Sequence, residues 1–452
     1  MANKTTFFSK HSVTFARKAF SLFLCLGMAL SAVAQTAVFV SSSAANDNGD
    51  GLTWETAKKT IAAGVTAAGA GGTVFVKAGL YSITAELSIP TGVTVMGGYQ
   101  QSSAGTDTSM RRLPGLNSHW QTTSWCTIIS GTGNHRVATV QGVLDGCVVR
   151  YGFTTTMGGG LFIDGGTAKY CVLMWNDAVD DENGAAEGGG AYVKNNGTLL
   201  NCVVTECRGD NGAGVSGEEG SLINNTITRN WPSQCGKVTD YDGNVYHTVQ
   251  IGAQCWMKEN LRTTHFADGT AIPTNSTYSS TVAYWYYPNN NSSNAVAYGL
   301  LYNWTAVMHG AASSNTNPRG VQGICPEGWH VPSDAEWYQL TDFVSSRSVW
   351  RCSGSQDNIA KALASKTGWN SYSGTCYVGN VPSDNNATRF SAMPAGRYSG
   401  SYYNFTEYAR YWTSTEDGSN AWYRYLYYSS ATVQRSTYSK SYAQSVRCLK
   451  DE

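Results

Sequence analysis

Gly142-Val143-Leu144-Asp145-Gly146-Cys147-Val148-Val149 recurs as Gly166-Thr167-Ala168-Lys169-Tyr170-Cys171-Val172-Leu173, as Gly197-Thr198-Leu199-Leu200-Asn201-Cys202-Val203-Val204 and as Gly220-Ser221-Leu222-Ile223-Asn224-Asn225-Thr226-Ile227. Cys147, Cys171, Cys202 and Asn225 are separated by steps of 24, 31 and 23 residues. A second motif recurs between them, as Gly158-Gly159-Gly160-Leu161-Phe162-Ile163, Gly188-Gly189-Gly190-Ala191-Tyr192-Val193 and Gly212-Ala213-Gly214-Val215. Each unit thus holds two or three short strands between glycine-rich corners. Strands this short cannot bury an apolar face alone. Stacked on their equivalents at about 4.8 Å, they share one continuous core. The spacing predicts a parallel β-helix in which Cys147, Cys171, Cys202 and Asn225 form an internal ladder, the thiols serving packing rather than metal or redox chemistry.

The chain before the repeats fits the same plan. Ala37-Val38-Phe39-Val40, Thr73-Val74-Phe75-Val76 and Val93-Thr94-Val95-Met96 read as strands, and Asn48-Gly49-Asp50-Gly51 as turn chemistry. Thr53 to Ala68 reads as one helix with Trp54, Ala57, Ile61 and Val65 on one face. Open solenoid ends need capping, and this helix is the expected cap. The whole resembles the right-handed β-helix of pectate-lyase-like proteins and secreted adhesins, over residues 35–232.

High glycine (49 of 452 residues), low charge (14%) and high aromatic content (12%) suit extended β structure rather than disorder. Residues 1–34 read as an export signal. Lys4, Lys10, Arg17 and Lys18 precede or flank the apolar run Ala19 to Leu30, which is too short to span a bilayer, and Ala32-Val33-Ala34 is a small-x-small cleavage site. The expectation is a secreted or cell-surface protein without a transmembrane segment. Its 31 basic and 31 acidic residues balance, so losing those four basic residues leaves a slight acidic excess. That argues against nucleic acid as a partner, which needs clustered Lys and Arg. Export permits disulfides. Six cysteines follow residue 232, and the local loop between Cys352 and Cys376 is the expected bridge.

The longest repeat step carries Asp177, Asp180, Asp181, Glu182 and Glu187, an inserted acidic loop. Loops on one face of a solenoid often carry sites. Solvated carboxylates are the plain reading. Asp177, Asp180, Asp181 and Glu182 are the residues that would hold a metal, with Ca²⁺ the cation such oxygen donors favour. A polysaccharide lyase or glycoside hydrolase would use the same carboxylates.

Trp231-Pro232-Ser233-Gln234 ends the repeats and reads as a linker. Beyond it Val238-Thr239-Asp240-Tyr241-Asp242-Gly243-Asn244-Val245-Tyr246 carries a hairpin signal at Asp242-Gly243, and runs on into Ile251-Gly252-Ala253-Gln254-Cys255-Trp256-Met257-Lys258-Glu259-Asn260-Leu261. Cys325-Pro326-Glu327-Gly328-Trp329-His330-Val331-Pro332-Ser333-Asp334-Ala335-Glu336-Trp337 contains a capping box at Ser333 and Glu336, followed by a helical apolar face of Trp337, Leu340, Phe343 and Val344. Tyr411-Trp412-Thr413-Ser414-Thr415-Glu416 and Ser445-Val446-Arg447-Cys448 close the series. In this order the blocks resemble the Fibrobacter succinogenes major paralogous domain of bacterial secreted and surface proteins, over residues 235–452. The Trp329 to Trp337 block is also similar to a block of formylglycine-generating proteins, which implies a C-type-lectin-like α+β fold. Their catalytic cysteine pair is not recognisable, so their activity is not implied.

Aromatic side chains dominate this half. On a strand, Tyr423, Tyr425 and Tyr427 share one face, opposite Trp422, Arg424 and Leu426. That stripe, with Trp285 and Tyr287, is the candidate sugar-binding surface, flat rings with polar tips. Packing of both faces within the domain is the competing reading, and His330 reads as structural. The functional expectation is an exported, non-catalytic, adhesin-like binder of polysaccharide or surface glycans, or of other surface proteins. The alternatives are an acidic-loop enzyme and a structural spacer.

Overall fold

The computed structural model describes residues 36–100, 102–114, 125–180, 185–274, 277–318 and 320–451. The export-signal reading of residues 1–34 lies outside them. The N-terminal part is built of mostly parallel sheets and the C-terminal part of antiparallel ones, with little helix.

From Ala37 to Pro232 the chain winds in successive levels, each strand pairing in parallel with its equivalent one level away. Four sheets result, of seven, six, five and four strands. One level shows the pattern. Leu161–Asp164, Thr167–Lys169, Val172–Met174 and Asp177–Ala178 each belong to a different sheet. The next level repeats it with Ala191–Lys194, Thr198–Leu200, Val203–Thr205 and Arg208–Gly209. The repeat alignment therefore has the register right, but each level holds four strands. Two-residue strands such as Asp177–Ala178 are too short to leave a periodic signal.

The expected ladder is present. Cys147, Cys171 and Cys202 are buried. The Cys171 amide donates to Cys202 Sγ at 3.4 Å and the Cys202 amide to Asn225 Oδ1 at 2.8 Å. A second ladder runs beside it. Asn176 accepts from the Gly152 amide, and Asn230 accepts from the Cys207 amide. Burial pushes the Cys147 and Cys207 thiols up to about 12, as expected of structural groups.

The N-terminal helix is shorter than the apolar pattern predicts. α1 spans Ile61–Ala68, with Thr60 as N-cap accepting from the Ala63 amide. Residues 53–60 are held extended or in turns, because Asp50 takes the Leu52 amide and Asp47 takes the Lys59 and Thr60 amides. These Asp side chains out-compete helical bonding locally. α1 nevertheless caps the stack. Ile61, Val65 and Ala68 share a core with Val38, Val40, Val74 and Val76.

Trp231–Pro232, expected to be a linker, instead pairs with Arg208–Gly209 as the last strand of the fourth sheet. The Ser233 carbonyl then accepts from Gln250, which ties the stack to the antiparallel part. Residues 36–452 accordingly group as one compact unit. In the antiparallel part the Asp242-Gly243 turn joins Lys237–Thr239 to Val245–Ile251, with Gly243 at φ +79°. α2 spans Asp334–Ser346 behind the expected capping box and buries Trp337, Leu340 and Val344. Disulfides join Cys352 to Cys376, as expected, Cys235 to Cys255 and Cys325 to Cys448. Such bridges belong to oxidising compartments. Among the described residues no helix is long and apolar enough to cross a membrane.

Candidate functional site

A cleft of about 520 Å³ lies where the coiled stack meets the antiparallel part. That volume falls within the range of small-molecule pockets. The stack contributes Tyr151, Phe153, Trp175, Asp177, Glu206, Arg208 and Trp231, and the facing wall contributes Phe343, Arg347, Trp350, Lys366, Asp384 and Arg389.

Backbone conformation explains how the stack presents these side chains. Tyr151, Trp175, Glu206 and Arg229 occupy the same corner of successive levels, each left-handed at φ between +54° and +58°. Asn and Gly accept this region readily, whereas a bulky aromatic residue there is strained. Strain of this kind clusters at functional sites. Tyr151 stacks on Trp175 with centroids 5.2 Å apart, and Trp175 Nε1 donates to Glu206 at 2.5 Å. Two residues further along, Asp177 and Arg208 are register partners and form an ion pair of 2.8 Å.

Arginines bind the two walls. Arg347 pairs with Glu206 at 3.2 Å, and its guanidinium lies 4.8 Å from the Trp175 ring. Burial pulls the Arg347 guanidinium down to about 10 against the opposing pull of Glu206 and Asp177. Arg389 Nη2 reaches the Val179 carbonyl at 2.9 Å, and Arg208 Nη1 reaches the Thr388 carbonyl at 3.3 Å. Arg208 Nε and Arg347 Nη1 are buried without a hydrogen-bond partner among the described residues. The cleft is thus lined by half-buried rings at Phe153, Trp231, Phe343 and Trp350 beside the arginines Arg208, Arg347 and Arg389.

Residues 249–450 match the Fibrobacter succinogenes major domain. The Fibrobacter major domain therefore supplies α2, the Arg347 and Arg389 wall of the cleft and two of the three disulfides, while Cys235 lies just before it. No curated protein and no solved structure matches the chain significantly.

The expected sugar-binding stripe lies elsewhere in the Fibrobacter major domain, with Tyr423 and Trp285 buried and Tyr425, Tyr427 and Tyr287 half-buried. Tyr423 is buried, sandwiched between Tyr425 at 5.4 Å and Tyr438 at 5.0 Å. Tyr425 is half-buried and its hydroxyl donates to Gln434, while Tyr427 stacks on Tyr408 at 4.1 Å. Trp285 is buried with Nε1 on the Ile272 carbonyl, and Tyr287 packs edge-on against it. Alternation placed these rings on one face, but a third strand, Gln434–Ser439, brings Tyr438 over that face.

The acidic loop also divides. Asp177 is committed to Arg208 and lines the cleft. The Asp180 amide donates to Asp210, and Glu187 accepts from Ser216. Asp181 and Glu182 lie outside the described residues. Among the described residues no group of three His, Cys, Asp or Glu side chains converges on a metal position.

Trp175, Arg208 and Arg347 are the residues that sequence reading missed. A signal existed for Trp175. Tyr151, Trp175, Glu206 and Arg229 each stand four residues beyond a ladder position, so extending the repeat alignment by one turn finds the corner. Nothing in the sequence pairs Arg347 with Glu206.

Proposed function

We propose that this is an exported, secreted or surface-held binder of polysaccharide or surface glycans, without turnover, and that the junction cleft is where it binds. The reading takes the stack as a right-handed parallel β-helix and the Fibrobacter major domain as C-type-lectin-like. The observation that carries it is the cleft's lining: aromatic rings beside the arginines Arg208, Arg347 and Arg389, in a space of about 520 Å³. Sugars are recognised by that combination, apolar ring faces against C–H surfaces and fixed donors against hydroxyls or carboxylates. Three disulfides support an extracellular setting. Two of the three cleft carboxylates, Asp177 and Glu206, are ion-paired, which ties up two of the groups an enzyme reading would use.

The test incubates residues 36–452 with soluble and insoluble polysaccharides, neutral and acidic, with and without Ca²⁺. Bound protein and newly released sugar ends are read from the same wells. Retention without release is expected, with Trp350→Ala weakening it about tenfold, a loss of about 1.4 kcal/mol, and Tyr425→Ala leaving it unchanged. Release of sugar ends would favour an enzyme, and no retention on any glycan would favour a spacer.

A further inference from the structure

Two arginines of the Fibrobacter major domain, Arg397 and Arg410, form no ion pair among the described residues, and neither lines the junction cleft. Strand register brings them together. Arg397 precedes Tyr398, the register partner of Ala443, and Arg410 precedes Tyr411, which is bridged to Ser445. Gln444 therefore lies between them, and alternation turns all three side chains away from the cores that hold Tyr398, Ala443 and Tyr411. Tyrosines stand on that face. The Arg397 guanidinium lies 5.0 Å from the Tyr403 and Tyr438 rings and 5.3 Å from the Tyr442 ring. That of Arg410 lies 4.1 Å from Tyr408 and 5.5 Å from Tyr438. Two cations beside one ring repel each other and call for a counter-charge. Arg410 Nη2 reaches only Asn404 Oδ1, at 3.4 Å, and Glu407 follows one hydrogen bond further on. Burial would push the Tyr438 hydroxyl up, yet Arg410 and Arg397 bring it below its ordinary value, which marks the local field as positive. Gln444 is fully buried with neither end of its amide hydrogen-bonded among the described residues, and Arg397 Nε and Arg410 Nε are buried and unpaired beside it. Buried polar groups are normally paired, so a cluster of exceptions calls for a cause. Arg397 is only half-buried, next to Tyr403 at 46% exposure, so its outer edge faces solvent.

We propose that Arg397, backed by the charge of Arg410, binds the carboxylate of an acidic ligand at a site separate from the cleft. A guanidinium held between rings keeps its fork fixed, and a carboxylate is a planar anion that takes both prongs at once. The surrounding tyrosines bring hydroxyls, donor and acceptor in one group, which suit a hydroxy acid such as a uronic acid. A free organic acid and a uronic-acid residue of a glycan share this chemistry, and the choice of probes separates them.

Isothermal titration calorimetry of residues 36–452 with sodium D-galacturonate, sodium acetate, sodium sulfate and neutral galactose, all at one ionic strength, tests this. Saturable binding of galacturonate is expected, and none of galactose. Arg397→Gln changes a half-exposed side chain, keeps the circular dichroism spectrum and weakens binding at least about tenfold. Arg397→Lys keeps the charge, loses the fork and weakens binding as well. Arg397→Gln leaves retention on neutral polysaccharides, the readout of the cleft, unchanged, so the two sites succeed or fail separately. Acetate binding at least as tightly as galacturonate supports the site with a free acid as its ligand, and tighter binding of galacturonate supports it with a sugar acid. No saturable binding of either carboxylate, an unchanged affinity in Arg397→Gln, or sulfate competing as well as acetate would each overturn the proposal.

Discussion

His330 shows how a residue read only as structural acquires a defined energetic role. Its Nε2 lies 3.0 Å from Glu336 and its Nδ1 lies 2.6 Å from Asp451, so one ring joins the capping box of α2 to the chain end. Burial alone would lower its pKa, but the two carboxylates outweigh burial and raise it above 6.5. A base raised on folding stabilises fully below its unfolded value and loses that contribution as pH rises through the folded value. The deficit in melting temperature of His330→Gln is therefore expected to be larger at pH 5.5 than at pH 8.5. Equal deficits at both values would contradict the ion pairs. The ring's burial was legible from its place beside Trp329. Its bond to Asp451 was not, because that residue lies 121 positions away.

At the scale of elements, the capping box was readable because it is local, and the outer face of the same helix was not. Asp334, the first residue of α2, holds Arg424 and Arg435, each at 2.8 Å, from two strands of the sheet that also buries Tyr423. Arg424 is buried, so deleting its partner leaves a charge without water. Asp334→Ala is expected to cost about 3–5 kcal/mol. Ser333→Ala removes the cap and the hydroxyl's bond to the Thr316 carbonyl and costs about 1–2 kcal/mol. Urea midpoints should rank wild type above Ser333→Ala and Ser333→Ala above Asp334→Ala, and a reversed order would mean that the cap, not the ion pair, fixes this helix. The same distinction between local and distant signals explains the shortened α1 and the burial of Tyr423. Apolar periodicity is correct at Ile61, Val65 and Tyr423, but it cannot see Asp47 taking the Thr60 amide or Tyr438 arriving from another strand.

At the scale of the molecule, repeat spacing revealed the stack and motif order revealed the Fibrobacter major domain, yet neither placed one against the other. Long-range pairs decide that placement, and the tightest of them run through arginine. Arg347 is the test of whether the junction is a weld or a hinge. Its pull-down to about 10 shows that burial works against its charge, so its worth lies in what it leaves behind when removed. Arg347→Met exposes Glu206 to a poorly solvated site with only the solvent-facing Arg229 remaining, at 3.4 Å. The expected cost is about 3 kcal/mol. Adding Glu206→Gln keeps an acceptor for Trp175 Nε1 and removes the orphaned charge, so the double variant should recover most of that loss. Under non-reducing conditions wild type should unfold in urea as one transition, because residues 36–452 form one unit. Arg347→Met should separate it into two, with the stack and the Fibrobacter major domain melting apart, and the double variant should bring the transitions together again. A wild type that already unfolds in two steps, or an Arg347→Met curve that superimposes on wild type, would make the junction a loose contact and the cleft between its walls a moving one.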